Sequence, residues 1–232
     1  LIILFTKVFY ESGGSWGIIL VLISGVTMFI GNLSALQQKN PIRLLAYSSI
    51  AQAGFILAPI AVAGITGNYK DGVYSSITYL IIYAFMNLGA FLVVNILINA
   101  TGSENIYEWG GLAKSSPMAG IFAVIFFFSL AGIPPLAGFA GKFVIFKVAI
   151  DAELYLLSII GVLTSVISAF YYLRIIKILY FDPGDEKFDQ PIDNGIKVIT
   201  GASAILTLLF LLFPNLIFSS ANLAANSLFL GM

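Results

Sequence analysis

Residues 129–142 read Ser-Leu-Ala-Gly-Ile-Pro-Pro-Leu-Ala-Gly-Phe-Ala-Gly-Lys, and they interrupt an apolar stretch that runs from Met118 to Ile150. That stretch is too long for one straight crossing, because about 20 helical residues span a bilayer core about 30 Å thick. The two prolines remove backbone N–H donors, and the glycines around them weaken a helix further. We therefore expect a transmembrane helix that is broken near 132–141.

The composition predicts that the chain lies in a membrane. Hydrophobic residues make up 59% of it and charged residues only 9%, with a mean hydropathy of +1.01, whereas a typical soluble domain is about 25% charged. The 11 basic and 11 acidic residues cancel, so no basic excess is available to bind nucleic acid. Because the sequence contains no cysteine and no histidine, we expect this chain to hold no cofactor and no metal.

Five further apolar segments are long enough to cross a bilayer. They cover residues 16–36, 43–64, 73–99, 154–180 and about 195–213. Together with the broken helix they predict an all-α integral membrane protein with about six transmembrane helices. The chain then divides into the end of a truncated helix and a turn (1–15), five spans that include the broken helix (16–180), and an acidic loop with a last transmembrane helix (181–232).

Basic residues near the ends of these spans indicate their orientation. Most of them fall on one side of the predicted helices: Lys39, Arg43, Lys114, Arg174, Lys177 and Lys187. Only Lys7 and Lys70 lie clearly on the other side. Since short loops rich in Lys and Arg remain on the cytoplasmic side, we expect the larger group to face the cytoplasm or its equivalent.

Lys142 is the strongest candidate for a functional residue. It precedes the turn at Asp151 by nine residues, about 14 Å along a helix and therefore near mid-membrane. A lysine at this depth costs about 2.5–3.5 kcal/mol even on the gentlest insertion scale, so it should face a polar cavity or a partner and not lipid. A buried amine that gains and loses a proton suits a proton relay. The alternative is a structural lysine that bonds the free carbonyls of the broken helix.

The break itself has two interpretations. Interrupted membrane helices expose unpaired backbone groups that water or an ion can use, and they are tolerated where protein or a cavity surrounds them. On this view Gly132, Pro134, Pro135 and Gly138 shape the core of a site. The other interpretation is a simple proline kink, which needs no ion.

Lys39 and Arg43 are candidates for the entry to a proton relay. The polar side chains that follow them in the next span could line a short water path, namely Tyr47, Ser48, Ser49 and Gln52. Helix capping explains the same residues equally well. We interpret Lys147, Arg174 and Lys177 as interfacial anchors, because each lies near the end of a span. The spans contain no acidic residue, so a carboxylate partner for Lys142 has to come from elsewhere.

Residues 27–38 and 43–55 resemble the antiporter-like subunits of complex I. They read Thr-Met-Phe-Ile-Gly-Asn-Leu-Ser-Ala-Leu-Gln-Gln and Arg-Leu-Leu-Ala-Tyr-Ser-Ser-Ile-Ala-Gln-Ala-Gly-Phe. Three further blocks, at 87–91, 129–143 and 171–174, resemble the C-terminal half of the subunit N family of NADH-quinone oxidoreductase. The blocks follow one another in consistent order over nearly the whole chain, and the proline-glycine-lysine block is highly specific.

The resemblance implies one five-helix repeat of an antiporter-like fold, over residues 16–180, followed by a final helix. It also implies that Lys142 is the central proton-carrying residue of a proton-translocating subunit that couples quinone reduction to proton transport. The whole complex would use quinone and NADH or an equivalent donor, while this chain would hold no redox centre. Its partners would be the other membrane and peripheral subunits and the lipid bilayer, in a bacterial or archaeal cell membrane.

One position departs from the family pattern. Relatives commonly carry a Lys-Arg pair before Leu-Leu-Ala-Tyr, whereas Ile42 precedes Arg43 here. Lys39 is a candidate substitute, because arginine stays charged at any physiological pH and is a poor titrating group.

Two other functions stay open. The first is a subunit of a multi-component sodium/proton antiporter, which sodium dependence of transport would reveal. The second is a structural membrane scaffold, which would keep pumping after Lys142→Ala.

Overall fold

The computed structural model describes residues 2–184 and 193–229. In these ranges the chain is helical and contains no strand. Its α-helices are α1 (Gly13–Leu36), α2 (Pro41–Thr66), α3 (Tyr69–Thr101), α4 (Leu112–Ser115), α5 (Pro117–Ala131), α6 (Ala137–Asp151), α7 (Tyr155–Phe181), α8 (Asn194–Leu212) and α9 (Pro214–Phe229). Single turns of other helix types lie at Leu4–Val8, Tyr10–Ser12 and Ile106–Trp109. The prediction of an all-α fold is confirmed.

Local sequence signals set several helix ends. Asn40 accepts a hydrogen bond from the backbone N–H of Arg43, and Pro41 occupies the first turn of α2. Both residue types are favoured at these positions. Helices α2 and α3 end at Gly67 and Gly102, which have left-handed φ angles of 74° and 68°. Glycine adopts this conformation without a steric penalty, so it terminates helices readily.

The helices have the lengths that a bilayer requires. Tyr10–Leu36, α2, α3 and α7 are each long and apolar enough to cross alone. Helices α5 and α6 contain 15 residues each, which at about 1.5 Å per residue is too short for a full crossing. They are the two halves of the predicted broken helix. Four helices cross alone, and the bent pair α8–α9 counts as a fifth span. With α5 and α6 counted as one broken crossing, the total agrees with the expectation of about six.

Helix α9 is an element that the sequence did not lead us to expect. It starts at Pro214 and is bent by 88° from α8. Its buried residues, Ile217, Ala221 and Ala225, repeat every four positions and pack toward α3. The predicted acidic loop, including Lys187, falls mostly at residues 185–192, outside the described part of the chain.

The basic residues gather at one end of the bundle, as the sequence predicts. The Arg174 side chain of α7 donates hydrogen bonds to the carbonyls of Leu36 and Gln38, at 3.2 and 3.0 Å. The backbone carbonyl of Lys39 accepts from the Ile106 N–H at 3.1 Å. These contacts join α7 and the turn at Ile106–Trp109 to the end of α1 and the turn that leads into α2. We call this end, with Lys39, Arg43, Lys114, Arg174 and Lys177, the basic end.

Small residues let α1 and α2 approach each other closely. A Cβ atom on Gly31 would lie 2.6 Å from the backbone nitrogen of Ala51 and 2.9 Å from the Tyr47 carbonyl oxygen. Farther along the same interface, the Ser24 hydroxyl donates to the Gly54 carbonyl at 2.8 Å. Such close backbone approach, with interhelical hydrogen bonds, is how membrane helices associate when lipid is as apolar as the side chains.

The change Gly31→Val should lower the amount of folded protein severalfold. The atoms in the way belong to the α2 backbone, so the helices must separate, and overpacking of this kind typically costs about 1–3 kcal/mol. The amount of full-length protein in membranes and its melting temperature in detergent measure the effect. The matched control is Gly14→Val on the same helix, where a Cβ meets nothing within 4 Å. Equal behaviour of the two variants would contradict the close contact.

Candidate functional site: the break between α5 and α6

The break comprises residues 132–136, where the sequence predicts it. Helix α5 ends at Gly132, whose φ is 82°. The Gly132 N–H donates to the carbonyls of Phe128 and Ser129, at 3.1 and 3.0 Å, which closes the last turn. Pro134 and Pro135 follow, and the extended Leu136 leads into α6. The glycine and the two prolines therefore end α5 and keep α6 separate from it.

Ser129 and Gly138 hold the two halves of the broken helix together. A Cβ on Gly138 would lie 1.8 Å from the carbonyl oxygen of Ser129, so no larger residue fits. The Gly138 N–H donates to the Ser129 hydroxyl at 3.1 Å, and that hydroxyl donates to the sulfur of Met86 at 3.4 Å. Ser129 thus satisfies one of the free N–H groups at the start of α6. Sequence analysis missed this role, because a serine in an apolar span does not reveal its partner.

The change Ser129→Ala should destabilise the protein moderately. It leaves the Gly138 N–H without its acceptor, and losing such a capping bond typically costs about 1–2 kcal/mol. Thermal unfolding of the purified full-length protein in detergent would show a lower melting temperature. The control is Ser220→Ala, which removes an exposed hydroxyl from α9. An unchanged melting temperature for Ser129→Ala would argue against the capping role.

Lys142 lies on α6 with its side chain directed back to the end of α5. Its Nζ atom donates to the carbonyls of Leu130 and Ala131, at 3.2 and 3.3 Å, and the residue is only 3% exposed. The amine also lies 5.1 Å from the centre of the Phe55 ring, a position that stabilises a cation. The last carbonyls of a helix have no helical partner, so the contact proposed for a structural lysine is present. The same contacts would hold the ammonium of a proton carrier.

The surroundings of Lys142 contain no acid in the described residues. The acidic residues Asp151 and Asp182 form ion pairs at the surface, with Lys147 and Lys177 respectively. A cavity of about 390 Å³ lies beside the amine between α6 and α7, and its wall includes Phe146 and Ser165. Residues 2–184 and 193–229 include no cluster of side chains able to hold a metal ion. Gain and loss of a proton by the amine is a chemistry that this arrangement could support.

Lys39 and Arg43 lie apart from Lys142. Both side chains are exposed at the basic end, and Arg43 contributes its backbone N–H to the Asn40 cap. Arg43 precedes Phe55 by 12 residues on α2, which corresponds to about 18 Å along the helix. The capping interpretation is thus observed for this segment, whereas the role of the two side chains as a relay entry stays a prediction.

Residues 1–168 match the family model described as NADH:quinone oxidoreductase/Mrp antiporter, transmembrane. The chain belongs to this family. It is 44% identical over 216 residues to NADH-quinone oxidoreductase subunit N of Paramagnetospirillum magneticum, covering 92% of this chain and 43% of that protein. It is 39% identical over 222 residues to the subunit N of Desulfitobacterium hafniense, covering 91% and 45%. The chain thus spans less than half the length of these relatives.

Solved structures show the same fold. A chain of respiratory complex I from Thermus thermophilus is 30% identical, with a TM-score of 0.72 over 86% of this chain and 44% of that one. A chain of the Mrp complex from Dietzia sp. is 21% identical, with a TM-score of 0.85 over 94% and 48%, and this likeness shows the fold alone. The family, the apolar helices and the bacterial relatives indicate a multi-pass protein of a bacterial cell membrane.

Proposed function

We propose that this chain is part of a proton-translocating membrane subunit of a complex I type NADH-quinone oxidoreductase. The observation that carries the proposal is a buried lysine amine at a helix break, held by two carbonyls that the helix leaves free. Membership of the family and the relatives named subunit N support it.

Lys142 would act by changing its protonation state. The carbonyls of Leu130 and Ala131 and the ring of Phe55 stabilise the charged amine. A positive charge that approaches from elsewhere in the complex favours release of the proton, and a negative charge favours uptake. Because interactions between charges are strong in a medium of low dielectric constant, a distant charge movement could be coupled to proton transfer at Lys142.

The redox chemistry would belong to other subunits. The complex as a whole would use NADH and quinone, whereas this sequence has neither cysteine nor histidine to ligate a metal centre. Its partners would be the other membrane and peripheral subunits of the complex and the lipid bilayer. The redox reaction would act on this chain through its contacts with those subunits.

The sodium/proton antiporter alternative rests on a shared fold. The Mrp chain matches at 21% identity, whereas relatives at 39–44% identity are named as NADH-quinone oxidoreductase subunits. This difference favours the oxidoreductase function over the antiporter.

NADH-driven proton uptake by the assembled full-length complex in proteoliposomes tests the proposal. The wild-type complex should pump with or without sodium, and the Lys142→Ala complex should not. Transport that requires sodium and no NADH would favour the antiporter. Undiminished pumping by Lys142→Ala would instead favour the scaffold.

A further inference from the structure

The cavity between α6 and α7 opens on the outer face of the helix bundle. Its volume is about 390 Å³, and its wall includes Pro134 of the break, Phe146 of α6 and Ser165 of α7. Phe143 and Val166 also line it, and these two side chains are 59% and 65% exposed. Small-molecule sites in proteins have volumes of about 300–1,000 Å³. The cavity is therefore large enough for a small molecule and open to one that is dissolved in the bilayer.

The protonated amine of Lys142 brings a positive charge to this cavity. An ammonium group has three N–H donors, and the carbonyls of Leu130 and Ala131 accept from Nζ at 3.2 and 3.3 Å. No further acceptor contacts Nζ in residues 2–184 and 193–229, and no ion pair there includes it. Buried charges in proteins are usually paired, so the ammonium has both a donor and a charge left for a ligand.

The Ser165 hydroxyl is a second polar group in the wall. It is shielded from solvent and has no hydrogen-bond partner among the described residues. Most other side chains of the wall are hydrocarbon, namely Ala131, Ile133, Phe139, Val162 and Ala169. A few polar groups in an otherwise apolar cavity are the usual arrangement of a small-molecule site, in which the polar groups fix the orientation of the ligand.

These features select the chemical class of the ligand. The head group must accept hydrogen bonds from an ammonium and a hydroxyl, and an anion also supplies the missing opposite charge. The rest of the molecule must be apolar, because it contacts hydrocarbon walls and enters from lipid. A carboxylic acid meets both conditions, since it crosses the apolar layer as the neutral acid and avoids the high cost of an isolated charge there. A lipid phosphodiester stays charged, so the same cost keeps it at the membrane surface.

We propose that this cavity binds a long-chain carboxylic acid from the bilayer, with its head group on Lys142 and Ser165 and its chain between Phe143 and Val166. When the neutral acid meets the neutral amine, the O–H bond of the acid breaks and an N–H bond forms on Nζ, so that a carboxylate and an ammonium remain as a pair. Binding does not depend on the proposed function. Its consequence does, because a carboxylate that holds the amine protonated opposes release of that proton and would slow transport.

Photolabelling of the assembled full-length complex in proteoliposomes tests the site and requires no NADH turnover. The probe is palmitic acid that carries a photoreactive diazirine in its chain, and mass spectrometry of the digested complex locates the labelled peptides. We expect saturable labelling of α6 and α7 that unlabelled palmitic acid displaces. The alcohol with the same chain should displace it at least about tenfold less well, because a hydrogen bond to a charged group contributes more than a neutral one.

Three variants carry the comparison. Ser165→Phe places a ring in the cavity and removes the hydroxyl, so the saturable labelling should fall severalfold. The matched control is Leu163→Phe, which adds a ring at a position of α7 that is 54% exposed and lies outside the cavity wall, and its labelling should equal that of the wild type. Lys142→Met removes the charge but keeps a long side chain, so acid and alcohol should displace the probe equally.

Each outcome supports or overturns the site. Labelling that palmitic acid does not displace, or equal displacement by acid and alcohol in the wild type, would overturn it, and so would unchanged labelling of Ser165→Phe. If Ser165→Phe does not assemble, the comparison of acid with alcohol in Lys142→Met decides.

Proton uptake by the Lys142→Ala complex separates this inference from the proposed function. If the site labels as expected and Lys142→Ala pumps normally, only the proposed function fails. If Lys142→Ala does not pump and no saturable labelling appears in the wild type, only the site is wrong.

Discussion

Replacing Lys142 with alanine is expected to lower NADH-driven proton uptake by about 100-fold or more, the scale on which a positioned acid–base group contributes to a reaction. Alanine removes the amine that lies at the break, and no other lysine, aspartate or glutamate in the described residues is buried. The carbonyls of Leu130 and Ala131 lose their donor, so assembly of the complex on native gels has to be verified in parallel.

The control for this change is Lys147→Ala on the same helix. Lys147 is exposed and paired with Asp151 at the surface, so its loss should leave pumping unchanged. If both lysine variants pump like the wild type, the amine at the break carries no proton. If both lose pumping equally, the effect reflects the helix and not Lys142.

The change Gly138→Ala should prevent formation of the break and with it most of the folded protein. A Cβ would lie 1.8 Å from the Ser129 carbonyl oxygen. Because the oxygen is part of the backbone and a Cβ is fixed to it, no change of side-chain rotamer can remove this clash. Overpacking typically costs about 1–3 kcal/mol and occasionally more, and α6 must also lose its bond to Ser129. The yield of full-length protein and its melting temperature in detergent would report the loss.

The control for Gly138 is Gly201→Ala in α8. A Cβ on Gly201 has one neighbour, at 3.9 Å, so alanine should be neutral or stabilise that helix by up to about 1 kcal/mol. The same substitution should therefore lower the melting temperature at Gly138 and leave it unchanged or raise it at Gly201. A Gly138→Ala protein with the wild-type melting temperature would show that the two half-helices are not in contact at this point.

Helix ends could be predicted closely because their signals are local. Asn40 with Pro41 starts α2, and Gly132 with the two prolines ends α5. Each of these residues acts on its own backbone, through a missing N–H, a left-handed φ or a capping bond. The break and the burial of Lys142 follow from such signals and from distance along the helix.

Contacts between helices could not be predicted in the same way. The Ser129 hydroxyl accepts from the N–H of Gly138 on α6. Tyr79 on α3 donates to Gln52 on α2, and its ring packs against Gly141 on α6. Apolar spans lack the alternation of polar and apolar faces that marks a buried side in soluble helices. The helix α9 was missed because its 16 residues are too few for a crossing, and because its position depends on packing against α3.

Proton uptake per NADH oxidised by the Lys142→Arg complex separates a proton carrier from a structural lysine. Arginine keeps the positive charge and can donate to the Leu130 and Ala131 carbonyls, but it does not release its proton at physiological pH. Assembly should therefore survive, and proton uptake should fall to the level of Lys142→Ala. Normal uptake by an assembled Lys142→Arg complex would contradict proton transfer through Lys142 and leave it a purely structural role.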